Sequence, residues 1–190
     1  MAFRVINPVL PGFYPDPSMC VAEGNYYLVC SSFSYFPGLP IFKSKDLVKW
    51  EQIGNIIDRP EQLDFEGGGV SRGLFAPTIR YYNKKFYCIC TQVDRIGNFI
   101  VTADKPEGPW SNPIVIENAP GIDPSLFFDD DGTCWYTGTR PAPEGPKYNG
   151  NCFASFILLL HLQSSPFLFP GGTECFSLRL PRHSSCFRIS

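Results

Sequence analysis

Three stretches of this chain repeat one another, and the repeat leaves few folds open. The first reads Asp16-Pro17-Ser18, then the turn Glu23-Gly24-Asn25, then Tyr26-Tyr27. The second reads Ala76-Pro77-Thr78, Asn83-Lys84-Lys85, Phe86-Tyr87, and the third Asp123-Pro124-Ser125, Asp129 to Gly132, Trp135-Tyr136. Proline to aromatic pair is nine residues in the first two and eleven in the third. The first two units also close alike, at Lys45-Asp46-Leu47-Val48-Lys49-Trp50 and at Ala103-Asp104-Lys105-Pro106-Glu107-Gly108-Pro109-Trp110. A unit of about 45–60 residues with roughly four strands is the size of one propeller blade. Two blades and the start of a third are visible.

The residues between the repeat marks support that reading. Short runs rich in Tyr, Phe, Val, Ile and Cys alternate with Gly, Pro, Asn and Asp clusters, and no stretch up to residue 150 sustains a helical period. Strands are expected at 26–31, 41–44, 51–56, 78–82, 86–91, 99–103, 114–117, 125–128 and 134–137. Asn83-Lys84-Lys85 and Asp129-Asp130-Asp131-Gly132 read as hairpin turns.

Charge and cysteine use narrow the partners. A net charge of −2 gives no electrostatic reason to bind nucleic acid or an anionic membrane. The apolar run from Cys152 to Leu162 is short of the roughly 20 residues a spanning helix needs, so no membrane segment is expected. The opening Met1-Ala2-Phe3-Arg4-Val5-Ile6-Asn7-Pro8 lacks a signal-peptide core, and a cytoplasmic location is expected. Cys20, Cys30, Cys88, Cys90 and Cys134 sit in strand-like apolar runs and read as buried free thiols. The two histidines, His161 and His183, offer no metal-ligand spacing, and neither a metal site nor a cofactor is expected.

Innermost blade strands line a central channel, so residues at their entrances face one another. In this repeat those positions are Asp16, Ala76 and Asp123. Two carboxylates thus converge on one pocket, as inverting glycoside hydrolysis requires. The alternative is that each Asp-Pro-Ser only builds a local Asx-type turn into a strand. The residues alone leave both readings open. The glycine run Gly67-Gly68-Gly69 lacks the context of a phosphate loop and reads as a turn.

Four segments carry a resemblance that bears on the choice. Asn7-Pro8-Val9-Leu10-Pro11-Gly12-Phe13-Tyr14-Pro15-Asp16-Pro17-Ser18 resembles the opening of glycoside hydrolase family 43. Ser32-Phe33-Ser34-Tyr35-Phe36-Pro37-Gly38-Leu39-Pro40-Ile41, Gly73-Leu74-Phe75-Ala76-Pro77-Thr78-Ile79-Arg80-Tyr81 and Gly121-Ile122-Asp123-Pro124-Ser125-Leu126-Phe127 resemble its later motifs, in order. The similarity is strongest to the β-xylosidases and extends to α-L-arabinofuranosidases. It implies an all-β, five-bladed β-propeller, here about two and a half blades, and a xylo- or arabino-oligosaccharide substrate. It further implies that Asp16 is the general base and that Asp123 orients the general acid and raises its pKa. Phe33 and Phe75 match aromatic positions that wall the sugar. Core packing is the competing reading for both. Arg72 is placed near the same pocket, or else is a solvated loop arginine.

Two departures follow. The family's general acid is a Glu ahead of Gly-Pro-His, far beyond the orienting Asp. Glu144-Gly145-Pro146-Lys147 copies the motif but follows Asp123 too soon, while Glu174 has neither the motif nor a strand around it. The general acid is therefore unassigned, and the chain is expected to be inactive or nearly so. Residues 151–190 also differ from residues 1–150. All nine Tyr and all three Trp precede position 151, and the later segment has no strand period. The expectation is a partial propeller over 1–150 and an aberrant tail over 151–190.

Overall fold

The computed structural model describes residues 5–141, 153–163 and 175–179. The described residues form three four-stranded antiparallel sheets and no helix. The first sheet holds β1 (Ser18–Ala22), β2 (Asn25–Val29), β3 (Gly38–Ser44) and β4 (Glu51–Ile57) in chain order. The second holds β5 (Thr78–Tyr82), β6 (Lys85–Gln92), β7 (Gly97–Ala103) and β8 (Ile114–Val115) in the same order. The third holds β9 (Ile122–Phe128), β10 (Cys134–Pro141), β11 (Phe153–Gln163) and β12 (Cys175–Arg179). Its outer two strands come from the segment in which the sequence shows no strand period.

Local chemistry sets the registers. Asn83 and Lys84 take φ values of 49° and 63°, the two left-handed residues of a tight hairpin turn, so Tyr82 pairs with Lys85 and Thr78 with Ile89. Glu23 and Gly24 do the same at 50° and 73°, pairing Ala22 with Asn25 and Ser18 with Val29. Between β9 and β10 the longer turn closes with Gly132 at 86°, and a bulge between Thr137 and Thr139 shifts the register near the start of β9.

The sheets pack face to face. Val29, Ile41, Ile79, Cys88, Cys90 and Val101 belong to the cluster between the first and second sheets, and Ile89, Ile100, Leu126, Cys134 and Tyr136 to the one between the second and third. Consecutive residues of β6 thus point into different cores, which is why Phe86-Tyr87-Cys88-Ile89-Cys90 reads as a continuous apolar run. Each fully buried Ile or Leu here contributes about 1.5–3 kcal/mol of burial. Cys20, Cys30, Cys88, Cys90 and Cys134 are free thiols, and the last four are buried.

Polar ties align the innermost strands β1, β5 and β9. The Ile79 amide donates to Ser18 Oγ at 3.2 Å. Arg80 donates from Nη2 to Ser125 Oγ at 3.0 Å and from Nε to the Leu126 carbonyl at 2.9 Å. The serines of both Asp-Pro-Ser motifs therefore hold their strands against the middle sheet. Tyr82 and Phe128 stack with centroids 4.5 Å apart and planes 6° from parallel.

One loop joins the first two sheets through the backbone. Phe33 and Leu74 exchange amide–carbonyl bonds, both 2.9 Å long, and Leu74 also bridges to Gln92. Gly73 makes this possible: its φ is 101°, and a Cβ there would lie 2.5 Å from the Phe33 carbonyl oxygen.

Candidate active site

The repeat places Asp16 and Asp123 just before β1 and at the second residue of β9 respectively, and both adopt an unusual backbone. Asp16 has φ 53° and Asp123 φ 55°, while Ala76, the equivalent residue of the middle sheet, has no positive φ. A non-glycine residue held in the left-handed region costs about 1–2 kcal/mol. Among the three equivalent positions the left-handed backbone occurs at the two aspartates and not at Ala76.

The charge of Asp16 acts on Asp123. Burial raises the Asp123 carboxyl above its ordinary value, and the Asp16 charge raises it further. Both residues remain open to solvent. The arrangement leaves Asp16 able to meet water and sets the Asp123 carboxyl within reach of its charge.

Asp16 is held from the neighbouring strand. Ser31 Oγ donates to Asp16 Oδ2 at 2.7 Å, and the Ser31 amide donates to the Pro15 carbonyl at 3.0 Å. The sequence reading passed over Ser31. Its signal was available, since the Glu23-Gly24 turn fixes a register that sets residue 31 opposite residue 16 once β1 and β2 are extended.

The loop into Asp123 is held from the middle sheet. Asn98, buried on β7, donates from Nδ2 to the carbonyls of Ala119 at 2.6 Å and Gly121 at 3.2 Å. Thr91 Oγ1 donates to Asn98 Oδ1 at 2.5 Å. Neither residue was singled out from the sequence.

An aromatic wall stands beside these groups. Phe33, itself at φ 51°, meets Phe75 edge to face at 5.6 Å between centroids and stacks on Phe13 at 6.0 Å. Phe33 and Phe75 are half-buried, and Phe13 is exposed. The Phe75 amide donates to the Thr91 carbonyl at 3.0 Å. Arg72 lies over Phe75, its guanidinium 5.7 Å from the ring centroid, and grips Asp94 with two bonds of 2.5 and 2.6 Å. That pairing holds the Asp94 carboxyl below its ordinary value. Arg72 is therefore a paired residue at the margin of the wall.

Glu144 and Glu174, the two glutamates weighed as acids, lie outside the described residues. Among the described residues, Asp16 is the one carboxylate whose charge raises the Asp123 carboxyl. No group of three His, Cys, Asp or Glu side chains among the described residues is placed to hold a metal ion, and no helix there is long and apolar enough to cross a membrane.

The family model of Glycosyl hydrolases family 43 matches residues 5–154. The chain belongs to this family. A xylosidase/arabinosidase of Butyrivibrio fibrisolvens is 62% identical over 147 residues, covering 76% of this chain and 28% of the relative. A non-reducing end α-L-arabinofuranosidase of Bacteroides ovatus is 46% identical over 128 residues, covering 65% of this chain and 24% of the relative. The crystal structure of a xylan β-1,4-xylosidase from Bacillus halodurans C-125 matches with a TM-score of 0.76 at 35% identity, over 94% of this chain and 33% of that one. Family 43 members of known structure are five-bladed β-propellers, and this chain covers part of one. It spans about a third or less of the length of these relatives.

Proposed function

We propose that this chain carries the water-activating side of an exo-acting glycosidase that removes xylose or arabinose from xylan-derived oligosaccharides by single displacement with inversion. Asp16 takes the proton from water as it attacks the anomeric carbon. Asp123 orients the general acid and, through its charge, keeps that acid protonated. Phe33, Phe75 and Phe13 offer the sugar an apolar wall, and Arg72 borders it. The observation that carries this reading is the pairing of two left-handed aspartates at equivalent strand entrances, with the charge of one acting on the other.

No general acid is assigned. A leaving oxygen without a proton donor departs readily only from an activated aryl glycoside, so the chain is proposed to turn over 2,4-dinitrophenyl β-D-xyloside but not xylobiose. Asp16→Ala then lowers aryl xyloside turnover at least about a hundredfold, the scale for losing an acid–base group. Proton NMR of the released sugar gives the anomer and so tests inversion. Turnover by Asp16→Ala within a few-fold of the parent removes Asp16 from the mechanism, and xylobiose cleavage by the chain puts an acid back, with Glu144 and Glu174 the first to test. A second reading, sugar binding without turnover, is favoured by the intact Phe13–Phe33–Phe75 wall; xylose binding with no product from either substrate would establish it.

A further inference from the structure

We propose that Ser31 is a positioning residue for the general base, fixing the carboxylate of Asp16 so that one oxygen is anchored and the other faces water. The inference rests on the reading of Asp16 as that base. Ser31 is 2% exposed, and its own backbone is tied to Pro15, the residue just ahead of Asp16. An ionised carboxylate only accepts, so the hydroxyl must donate to it. The bond, 2.7 Å to Oδ2, occupies one carboxylate oxygen and leaves Oδ1 to take water's proton. Asp16 is otherwise a short, exposed side chain on a left-handed backbone. The hydroxyl supplies the orientation that a base needs to gain from proximity.

The repeat separates this role from general strand chemistry. A hydroxyl occurs at the matching register position in every sheet: Ser31, two residues past β2, in the first, Thr91 on β6 in the second and Thr139 on β10 in the third. Its partner differs each time. Where the entrance residue is Asp16, the hydroxyl binds the carboxylate itself. Where it is Ala76, Thr91 turns to Asn98, which holds the loop ahead of Asp123. In the third sheet, after the bulge, Thr139 Oγ1 binds the Ile122 carbonyl at 3.0 Å, one residue before Asp123. A hydroxyl kept only to satisfy strand backbone would bind the same backbone group in all three. Here the Ser31 and Thr139 bonds end on an aspartate or on the chain leading into one, and the Thr91 bond ends on the asparagine that holds that chain.

The test compares Ser31→Ala, Ser31→Thr and Asp16→Ala in this chain on 2,4-dinitrophenyl β-D-xyloside, with melting temperatures and crystal structures of the Ser31 variants. Ser31→Ala is expected to lower kcat about tenfold with KM within about twofold and little change in melting temperature. Ser31→Thr is expected to recover kcat to within about threefold, because threonine already fills the equivalent position twice. In the Ser31→Ala crystal structure the Asp16 carboxylate is expected to rotate from its present place. Unchanged kcat in Ser31→Ala while Asp16→Ala is inactive overturns the role of Ser31 alone. Undiminished turnover by Asp16→Ala overturns the assignment of the base, and this inference with it. A joint fall in kcat, KM and melting temperature that threonine does not recover shows a structural role only and also overturns it. If neither parent nor variant turns over, the crystal structure decides: an unmoved carboxylate overturns the proposal, and a displaced one supports it.

Discussion

Replacing Gly73 with alanine tests whether the backbone tie between the first two sheets is what sets Phe33 in the site. The added methyl meets three backbone atoms, Phe33 O at 2.5 Å, Phe33 C at 2.7 Å and Ser34 N at 3.1 Å, none of which can rotate away. Alanine at φ 101° is strained by about 1–3 kcal/mol before any contact is counted. Moving the Phe33 strand aside breaks two 2.9 Å bonds with Leu74, at about 1 kcal/mol each. The sum is roughly 3–5 kcal/mol, and at about 2–4 °C per kcal/mol for a domain of this size the melting temperature falls on the order of 10 °C. Gly97→Ala is the control. Gly97 has φ 74° but nothing within 4 Å of the added methyl, so it should show the conformational part alone, about 1–2 kcal/mol. Melting followed by far-ultraviolet circular dichroism gives both values, and calorimetric titration with xylose reports whether the aromatic wall has moved. If Gly73→Ala costs no more than Gly97→Ala, the close approach of the two loops is not what fixes Phe33.

Three further outcomes are expected. Because the Asp123 carboxyl is raised in the folded state, the fold binds its proton more tightly than the unfolded chain does. Its contribution is present below the unfolded carboxylate value near about 3.9 and is lost as pH rises through the raised folded value. Asp123→Asn should flatten that fall between acid and neutral pH in urea unfolding, and a slope equal to the parent's would contradict the cause given. Asn98→Ala removes the donors to Ala119 and Gly121, so it should cost about 2–4 kcal/mol and speed amide exchange across 118–123; uniform exchange changes would count against a local anchor. Burial pushes the thiols of Cys20, Cys30 and Cys134 up to about 12 and those of Cys88 and Cys90 higher than usual too. Iodoacetamide at pH 8 should spare all five until the chain is unfolded, as peptide mapping would show.

The fold was legible wherever turn chemistry and aromatic pairs marked it. Asn83-Lys84 ahead of Phe86-Tyr87 gave the hairpin, and the strand expected at 78–82 is β5 itself. Strand β1 escaped because Ser18-Met19-Cys20-Val21-Ala22 lacks aromatics and a clean alternation, and both Met19 and Val21 are exposed. Strand β11 escaped for the opposite reason: Phe153 to Gln163 is apolar almost throughout and shows no period of two. The aspartate pair of the candidate site was legible as far as the repeat reached, since Asp16 and Asp123 are equivalent positions. Ser31 and Asn98 were not seen, because each acts across a pairing that exists only once the register and the packing of neighbouring sheets are fixed.

The middle sheet has Ala76 where the other two have an aspartate, yet both of its faces are core: Cys88 and Cys90 press towards the sheet that bears Asp16, and Ile89 towards the one that bears Asp123. It works as a spacer whose thickness is set by side-chain volume. Substituting a larger or smaller residue at Ile89 or Cys88 would widen or narrow the gap between the two aspartates by moving whole sheets, with neither aspartate touched. The separation of the two aspartates is thus open to adjustment from inside the core, at positions outside the candidate site.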